Sequence, residues 1–426
     1  MTEPEWRTIV EWQLVRPGGP QVLPAVELPG RLWADEPRPL QEALLRACQV
    51  DAVLLKALSE KEDSETGVRH LTLLGAHRDD FADGHAPEWY TPGSFDASGT
   101  SGATPGGGRS GEAPWARPGW IHRVTRWLAG ALPPGVTVTG PAEQVRIWDL
   151  SCVLRVPTSD GDVFVKSAAD SPLFVDEGAV VTVLHRHFPG QVPAPLAHDP
   201  GARLLAMRPF PPEIGHQAPL DVHAEVLGAY GRFQAATSGV TAELIAAGCG
   251  ERTLPWLADQ LSTWAAALDH TVVPPGADPA SWLDEEEARA IRSAVPGLLS
   301  AVERLSAYGL PDCAVHGDFH LANVARADGG FVYFDWTDAG VGHPFLDLVT
   351  LYWQPNPAAL DAYLAAWTAH APPDRLREAW ELAEPLVAVN QAISYAAIVS
   401  VLPPDGDATL KPMIARWLRR LLTLRS

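Results

Sequence analysis

The strongest constraint on this 426-residue chain is a short block around position 320. His316-Gly317-Asp318-Phe319-His320-Leu321-Ala322-Asn323 is followed, past Asp328-Gly329-Gly330, by Phe331-Val332-Tyr333-Phe334 and then by Asp335-Trp336. Val315 precedes the loop, and the apolar run 331–334 reads as a strand entered through a hairpin turn, because Gly-rich pairs between apolar segments favour tight reversals. Asp318 and Asp335 then stand at the edges of short strands that face one cleft.

Those residue types point to a particular chemistry. Phosphoryl transfer needs a carboxylate where the attacking hydroxyl lies, and two further oxygen ligands that hold Mg²⁺ on nucleotide phosphates. An Asp followed five positions later by Asn, with a second Asp just beyond a strand pair, is the spacing of the kinase catalytic loop. At these residues the chain resembles the aminoglycoside phosphotransferase and choline kinase-like superfamily of small-molecule kinases, whose loop reads His-Gly-Asp-x-x-x-x-Asn and whose second Asp is commonly followed by Trp. The resemblance implies an α+β, two-lobed protein-kinase-like fold, with a small β-rich N-lobe and a large helical C-lobe. It also implies ATP or GTP as co-substrate with Mg²⁺. Asp318 is then the catalytic base or the residue that positions the hydroxyl, Asn323 and Asp335 are the metal ligands, and Asp347 in Pro344-Phe345-Leu346-Asp347-Leu348 braces the loop. His316 is implied to be a structural member of the loop.

A kinase-like site also needs an upstream strand lysine and an acidic partner on the next helix. Ser159-Asp160-Gly161 reads as a turn, after which Val163-Phe164-Val165-Lys166 is an apolar strand ending in the candidate phosphate contact, Lys166. Glu177 opens a helical pattern in which Val180, Val181, Leu184 and Phe188 fall on or near one face, so that Glu177 is expected to point toward Lys166. The turn Arg146-Ile147-Trp148-Asp149-Leu150-Ser151 lacks the glycines of a protein-kinase phosphate loop. The resembled family tolerates this and often places Ser or Thr near the loop end, which makes Ser151 a candidate phosphate contact, with Trp148 packing. Leu204 to Phe210 reads as the strand entering the hinge, where Met207 and Arg208 are the candidate neighbours of the base.

Gly342-His343-Pro344 and Asp347 follow Asp335 almost at once, leaving no room for the activation segment on which a protein kinase holds its peptide. The resembled family usually has an acidic residue where His343 stands. His320 and His343 read as packed or solvent-facing histidines, since neither belongs to a His/Cys cluster.

Helical spacing recurs at Val222, Val226, Tyr230 and Phe233, through Leu382 to Ala397, and from Trp417 to Leu422. In the resembled family such helices form the pocket for a small alcohol, many of these acceptors being cationic, such as aminoglycosides and choline. Asp338, the run Asp284 to Glu287, Glu381 and Glu384 are available to a cation, but a charge run ordinarily marks a solvated helix face. Trp256, Trp264, Trp282, Trp353, Trp367 and Trp380 read as core rather than as a cation cage.

Lys+Arg 32 against Asp+Glu 52 gives a formal net charge of −20, which argues against nucleic-acid and anionic-membrane partners. Cys48, Cys152, Cys249 and Cys313 are widely spaced, with no zinc or disulfide framework. No run reaches transmembrane length, and Met1-Thr2-Glu3-Pro4-Glu5-Trp6 lacks the regions of a signal peptide, so a cytoplasmic location is expected.

The stretch 92–118, rich in Gly, Ser, Thr, Ala and Pro, reads as a linker. After it, 119–208 is expected to be the N-lobe and 209–426 the C-lobe. Residues 1–91 read as a small separate α+β domain, with strands at Thr8 to Val15, Gln21 to Leu28, Ala52 to Leu58 and His70 to Leu74, and a helix at Pro39 to Cys48. Its element order resembles a Nudix hydrolase, but Arg38-Pro39-Leu40-Gln41-Glu42 supplies one carboxylate where that chemistry needs a pair, so a degenerate binding or oligomerisation module is expected. The rival to an enzyme is a kinase-like sensor that binds nucleotide or metabolite and transfers nothing.

Overall fold

The computed structural model describes residues 5–90, 113–267, 282–402 and 410–424. Most of the expected linker, the first four residues, and the side chain of Trp264 lie outside the described residues. The chain forms two compact units, one of residues 1–169 with 196–209 and the other of 170–195 with 210–426.

The first unit is built on two sheets. β1 (Arg7–Arg16) pairs antiparallel with β2 (Gly19–Val22) and β3 (Val26–Pro29), and parallel with β5 (Val68–His77), which in turn pairs antiparallel with β4 (Ala52–Asp63). As the central strand β1 is covered on both faces, and Trp12, Gln13, Leu14 and Val15 are consecutively buried. Between β3 and β4 runs α1 (Pro37–Cys48), with Pro at its first position and an inward face of Leu40, Ala43 and Leu44. Following α2 (Trp120–Ala131), the second sheet runs in the order β6 (Glu143–Ile147), β7 (Ser151–Thr158), β8 (Gly161–Ala168), β10 (Leu204–Met207), β9 (Pro195–Asp199).

The first unit carries the expected helix and three of the four expected strands, while the strand expected at Gln21 to Leu28 is broken into β2 and β3, and none of this stands as a free module. Trp12, Leu14, Leu44 and Leu73 share one hydrophobic core with Trp120, Leu128, Leu154 and Val165. Gln144, itself buried in β6, accepts from the Leu54 N–H at 2.8 Å and donates to the Leu54 carbonyl at 2.7 Å. That side chain satisfies backbone groups of β4, which lies at the edge of its sheet. At the far end of the expected linker, Trp115 is buried and donates its indole N–H to the Trp148 carbonyl at 2.9 Å. A Gly-rich composition describes the connecting chain, not the surfaces that flank it, which is why the boundary at 92–118 did not mark the edge of a core.

The second unit is mainly helical. It comprises α3 (Glu177–His187), α4 (Leu220–Thr237), α5 (Thr241–Ala246), α6 (Leu254–Ala267), α7 (Glu285–Ser306), α8 (Thr350–Trp353), α9 (Pro357–Leu364), α10 (Pro373–Val401) and α11 (Lys411–Thr423). α10 is long and apolar enough to cross a membrane, with 61% of its apolar window buried within the fold. The acidic run at 284–287 is a helix start: Asp284 accepts from the Glu287 N–H at 2.7 Å, and the Glu287 carboxylate accepts from the Asp284 N–H at 2.9 Å, a reciprocal capping box. α3 groups here rather than with the N-lobe strands, because the Val175 N–H donates to the Thr337 carbonyl and Phe188 packs edge-on against Phe233. Among these helices lie a three-stranded sheet, β11 (Gly250–Arg252), β15 (Gly340–Gly342), β12 (Cys313–Val315), and the hairpin β13 (Val324–Ala327) with β14 (Gly330–Tyr333).

Candidate active site

β12 delivers the loop that begins at His316. Gly317 takes φ of 84°, and a Cβ on it would stand 2.1 Å from the Asp338 carbonyl oxygen, so only glycine fits. The loop is gripped from below by Asp347, whose Oδ2 accepts from the His316 N–H at 2.6 Å and whose Oδ1 accepts from the Gly317 N–H at 2.8 Å. Gln234 Nε2 at 3.0 Å and the Tyr230 hydroxyl complete the donors around this carboxylate. Burial pushes the Asp347 carboxyl up from its ordinary range, against the pull of these donors and of nearby His316.

His316 itself donates Nε2–H to the Phe334 carbonyl at 2.8 Å and packs on the Trp336 ring. A carbonyl only accepts, so this contact fixes the tautomer. The side chain thereby ties the loop to the strand that presents Asp335.

The Asp318 side chain is 43% exposed, with His320 Nε2 3.4 Å from its Oδ2. Desolvation works to raise the Asp318 carboxyl, but the His320 contact and charge prevail and hold it below its ordinary value. Asn323 donates Nδ2–H to the Asp318 backbone carbonyl at 3.0 Å, which turns its Oδ1 away from that bond. Asp335 sits in the left-handed region at φ 66°, a conformation Asp tolerates better than most residues. The Thr337 hydroxyl lies 3.1 Å from both Asp335 Oδ1 and Glu177 Oε2, and its single proton serves one of them at a time. Glu177 also accepts from the Trp336 N–H at 2.9 Å, so it anchors the turn that follows Asp335.

Asn323 and Asp335 offer hard oxygen atoms, and no group of three or more His, Cys, Asp or Glu side chains among the described residues is arranged to hold a metal ion. A small cation that keeps several water or phosphate ligands, as Mg²⁺ does, fits such a sparse donor set.

The remaining candidates belong to the first unit. Lys166 is buried in β8, between Val153 of β7 and Leu205 of β10. Ser151 opens β7, and its hydroxyl oxygen accepts from the Trp148 indole at 2.7 Å, closing the glycine-free turn. Met207 ends β10, and Arg208 pairs with Asp160 at 2.7 Å across the β7–β8 turn. The expected sites thus fall into two sets, Ser151, Lys166, Met207 and Arg208 in one unit, and Glu177, His316, Asp318, Asn323, Asp335 and Asp347 in the other.

His320, Thr337 and Gln391 were not legible as site residues. His320 is two positions from Asp318, which is a local signal. Gln391 donates to the Gly317 carbonyl at 2.9 Å from the middle of α10, and nothing in the sequence announces that. His343 is a structural residue, since its Nδ1 accepts from the Phe345 N–H at 3.3 Å and caps the turn leading to Asp347. Burial lowers its pKa to about 3, so it caps as the neutral ring. The acidic candidates Glu287 and Glu384 are paired with Arg419 and Arg420, and the face of Trp353 is covered by Arg416 at 4.3 Å.

A family model described as a phosphotransferase enzyme family matches residues 147–380, more than half of the chain and all of the loop just described. The chain belongs to that phosphotransferase family. Membership makes it a small-molecule kinase, and the α+β kinase-like fold expected from the loop is the fold found. No curated protein matches this phosphotransferase. Among solved structures, a choline/ethanolamine kinase family protein from Mesorhizobium loti is 17% identical with a TM-score of 0.51, over 72% of this chain and 95% of that one. A choline kinase from Cryptosporidium parvum Iowa II is 8% identical with a TM-score of 0.51, over 71% and 95%. At such identities the likeness is one of fold.

Proposed function

We propose that this phosphotransferase moves the γ-phosphate of ATP or GTP onto a hydroxyl of a small molecule, with Asp318 as the residue that receives that hydroxyl. The observation that carries the reading is a half-exposed carboxylate, kept ionised by His320, on a loop whose backbone is clamped by Asp347. In the transfer, the acceptor oxygen forms a bond to the γ-phosphorus, the bond from that phosphorus to the bridging oxygen breaks, and the nucleoside diphosphate leaves. The acceptor proton passes toward Asp318. A carboxylate held below its ordinary pKa is a weak base, so its main service is to orient the hydroxyl, which suits a loose transition state with late proton transfer.

Asn323 and Asp335 would hold Mg²⁺. When bound, the ion neutralises charge on the transferring phosphate. Lys166 would contact the nucleotide phosphates, Ser151 would offer its hydroxyl proton to one of them, and the backbone near Met207 and Arg208 would meet the base. Glu177 would hold the turn after Asp335. The acidic surface and Asp338 support a positively charged group on the acceptor, as in an aminoglycoside or amino alcohol. All four cysteines are free thiols, in keeping with a cytoplasmic site of action.

The test is nucleotide binding in Asp335→Ala. The variant should lose Mg²⁺-dependent affinity for ATP while remaining folded; unchanged affinity contradicts the assignment.

A further inference from the structure

Arg252 is a buried cation that the mechanism above does not use. It ends β11, which runs parallel to β15 with Gly250 opposite Gly340 and Arg252 opposite Gly342. A Cβ on Gly340 would lie 2.2 Å from Arg252 Cγ, and one on Gly342 would lie 2.0 Å from the Arg252 carbonyl oxygen. Two glycines of β15 therefore make room for the arginine where any other side chain would expel it.

The side chain is 4% exposed. Its guanidinium lies over the Trp256 ring at 5.1 Å, and Nη1 reaches the Ser394 hydroxyl oxygen at 3.4 Å. Nη2 is buried with no hydrogen-bond partner, and among the described residues no carboxylate stands within ion-pair distance of the group. Arginine stays charged at physiological pH, and a buried charge without a bonded anion is costly. Asp338 and Asp347 act on it only from a greater distance.

The position of this cation is informative. Ser394 follows Gln391 on α10 by three residues, and Gln391 donates to the Gly317 carbonyl, next to Asp318. The guanidinium and the loop carrying Asp318 are thus both bonded to α10, through side chains three residues apart. One turn before Ser394, Asn390 also has a buried Oδ1 with no partner. Within one unit, an unpaired donor and an unpaired acceptor lie beside the same helix.

We propose that Arg252 binds a carboxylate on the acceptor, so that the substrate class is a hydroxylated carboxylic acid. The proposal rests on the kinase reading and deepens it. A planar guanidinium with its Nη2 unpaired can donate to a carboxylate oxygen. Three aromatic faces of this unit already carry a guanidinium, Trp256 that of Arg252, Trp353 that of Arg416 and Tyr352 that of Arg420. An acceptor with an amine as well as the carboxylate meets both Arg252 and the acidic residues, whereas choline offers Arg252 no anion.

The test uses the full chain with Mg²⁺ and γ-labelled ATP, and acceptor pairs that differ by the carboxylate alone: L-homoserine against 3-amino-1-propanol, L-serine against ethanolamine, glycerate against glycerol. The acid of at least one pair should have a KM about tenfold or more below its partner, and Arg252→Gln should erase that gap while leaving the partner's KM within about twofold. Should that variant not fold, Arg252→Lys, which keeps the charge and loses the fork, should raise the KM of the acid alone. Preference for the carboxyl-free member, or an equal change in both members, overturns the proposal. Thermal shift reads binding without turnover. No stabilisation by any of the acids overturns the carboxylate assignment, whereas stabilisation that is lost in Arg252→Gln, with no transfer to any acceptor, supports it and overturns the kinase reading instead.

Discussion

His316 donates its Nε2 proton to the carbonyl of Phe334 at 2.8 Å, and through that one bond the loop carrying Asp318 is tied to the strand presenting Asp335. The carboxylate proposed to receive the hydroxyl and the one proposed to hold the metal are thus linked through the His316 side chain. Asp347 holds the same loop by its backbone, from the other side.

His316→Ala should therefore act mainly on turnover. Leaving the Phe334 carbonyl unpaired costs about 1–3 kcal/mol of stability. The looser register should lower kcat by about tenfold or more. Urea unfolding beside steady-state kinetics checks both, and a variant that lost stability but kept full kcat would contradict the tie.

Gly317→Ala should be worse. The left-handed conformation alone costs about 1–2 kcal/mol for a non-glycine residue, and the added Cβ would meet the Asp338 carbonyl at 2.1 Å. Circular dichroism should show a lowered Tm and assays little or no transfer. Normal activity would mean that the loop backbone is not held as described.

Two buried histidines make stability fall in acid. His343 and His223 are brought down by burial to about 3 and about 4, respectively. Unfolded, each titrates near 6.5, so between that value and its folded pKa the unfolded chain binds more protons, and stability declines as pH falls. Each contributes up to about 1.4 kcal/mol per pH unit in its window. Tm measured from pH 7 to 4 should drop from about pH 6.5 downward, and His343→Asn, which retains a capping acceptor, should flatten that slope. An identical slope in the variant would count against a neutral, buried His343.

Gln144 gives a test of the first unit. Gln144→Ala strands the N–H and carbonyl of Leu54, at about 1–3 kcal/mol for each group. Arg38→Ala removes an exposed ion pair with Glu143, worth about 0–1 kcal/mol. Deleting residues 1–91 should leave an insoluble chain, because the strands at 143–168 would lose the core they share with Trp12, Leu44 and Leu73. A soluble, active truncation would show that the segment is separable after all.

Much of the candidate loop was legible because its residue pattern is local. Asp318, Asn323 and Asp335 lie within eighteen positions, and turn residues and apolar runs set the strands around them. The strands at 7–16, 52–63 and 68–77 were legible for a similar reason, through apolar β-formers bounded by turn residues, although the first and last overrun both expected ends and the strand from Ala52 overruns its C-terminal end. What failed to show was anything decided by long-range packing. Gln144 and Leu54 are ninety residues apart, and no periodicity links an amide to the edge of a distant strand. Gln391 and Arg252 are ordinary polar residues in sequence, and only the fold places one against the catalytic loop and the other within the core. Glu177 was read for Lys166, and its bonds to Trp336 and Thr337 were invisible because a carboxylate does not announce how many donors it serves.

The most direct test of the central claim is transfer of labelled γ-phosphate from Mg²⁺·ATP to hydroxylated acceptors, by the full chain and by Asp318→Asn, with nucleotide affinity measured on both. Transfer by the parent chain is expected, with a loss of about a hundredfold or more in the variant and equal affinity for the nucleotide. Undiminished transfer by Asp318→Asn would contradict the claim.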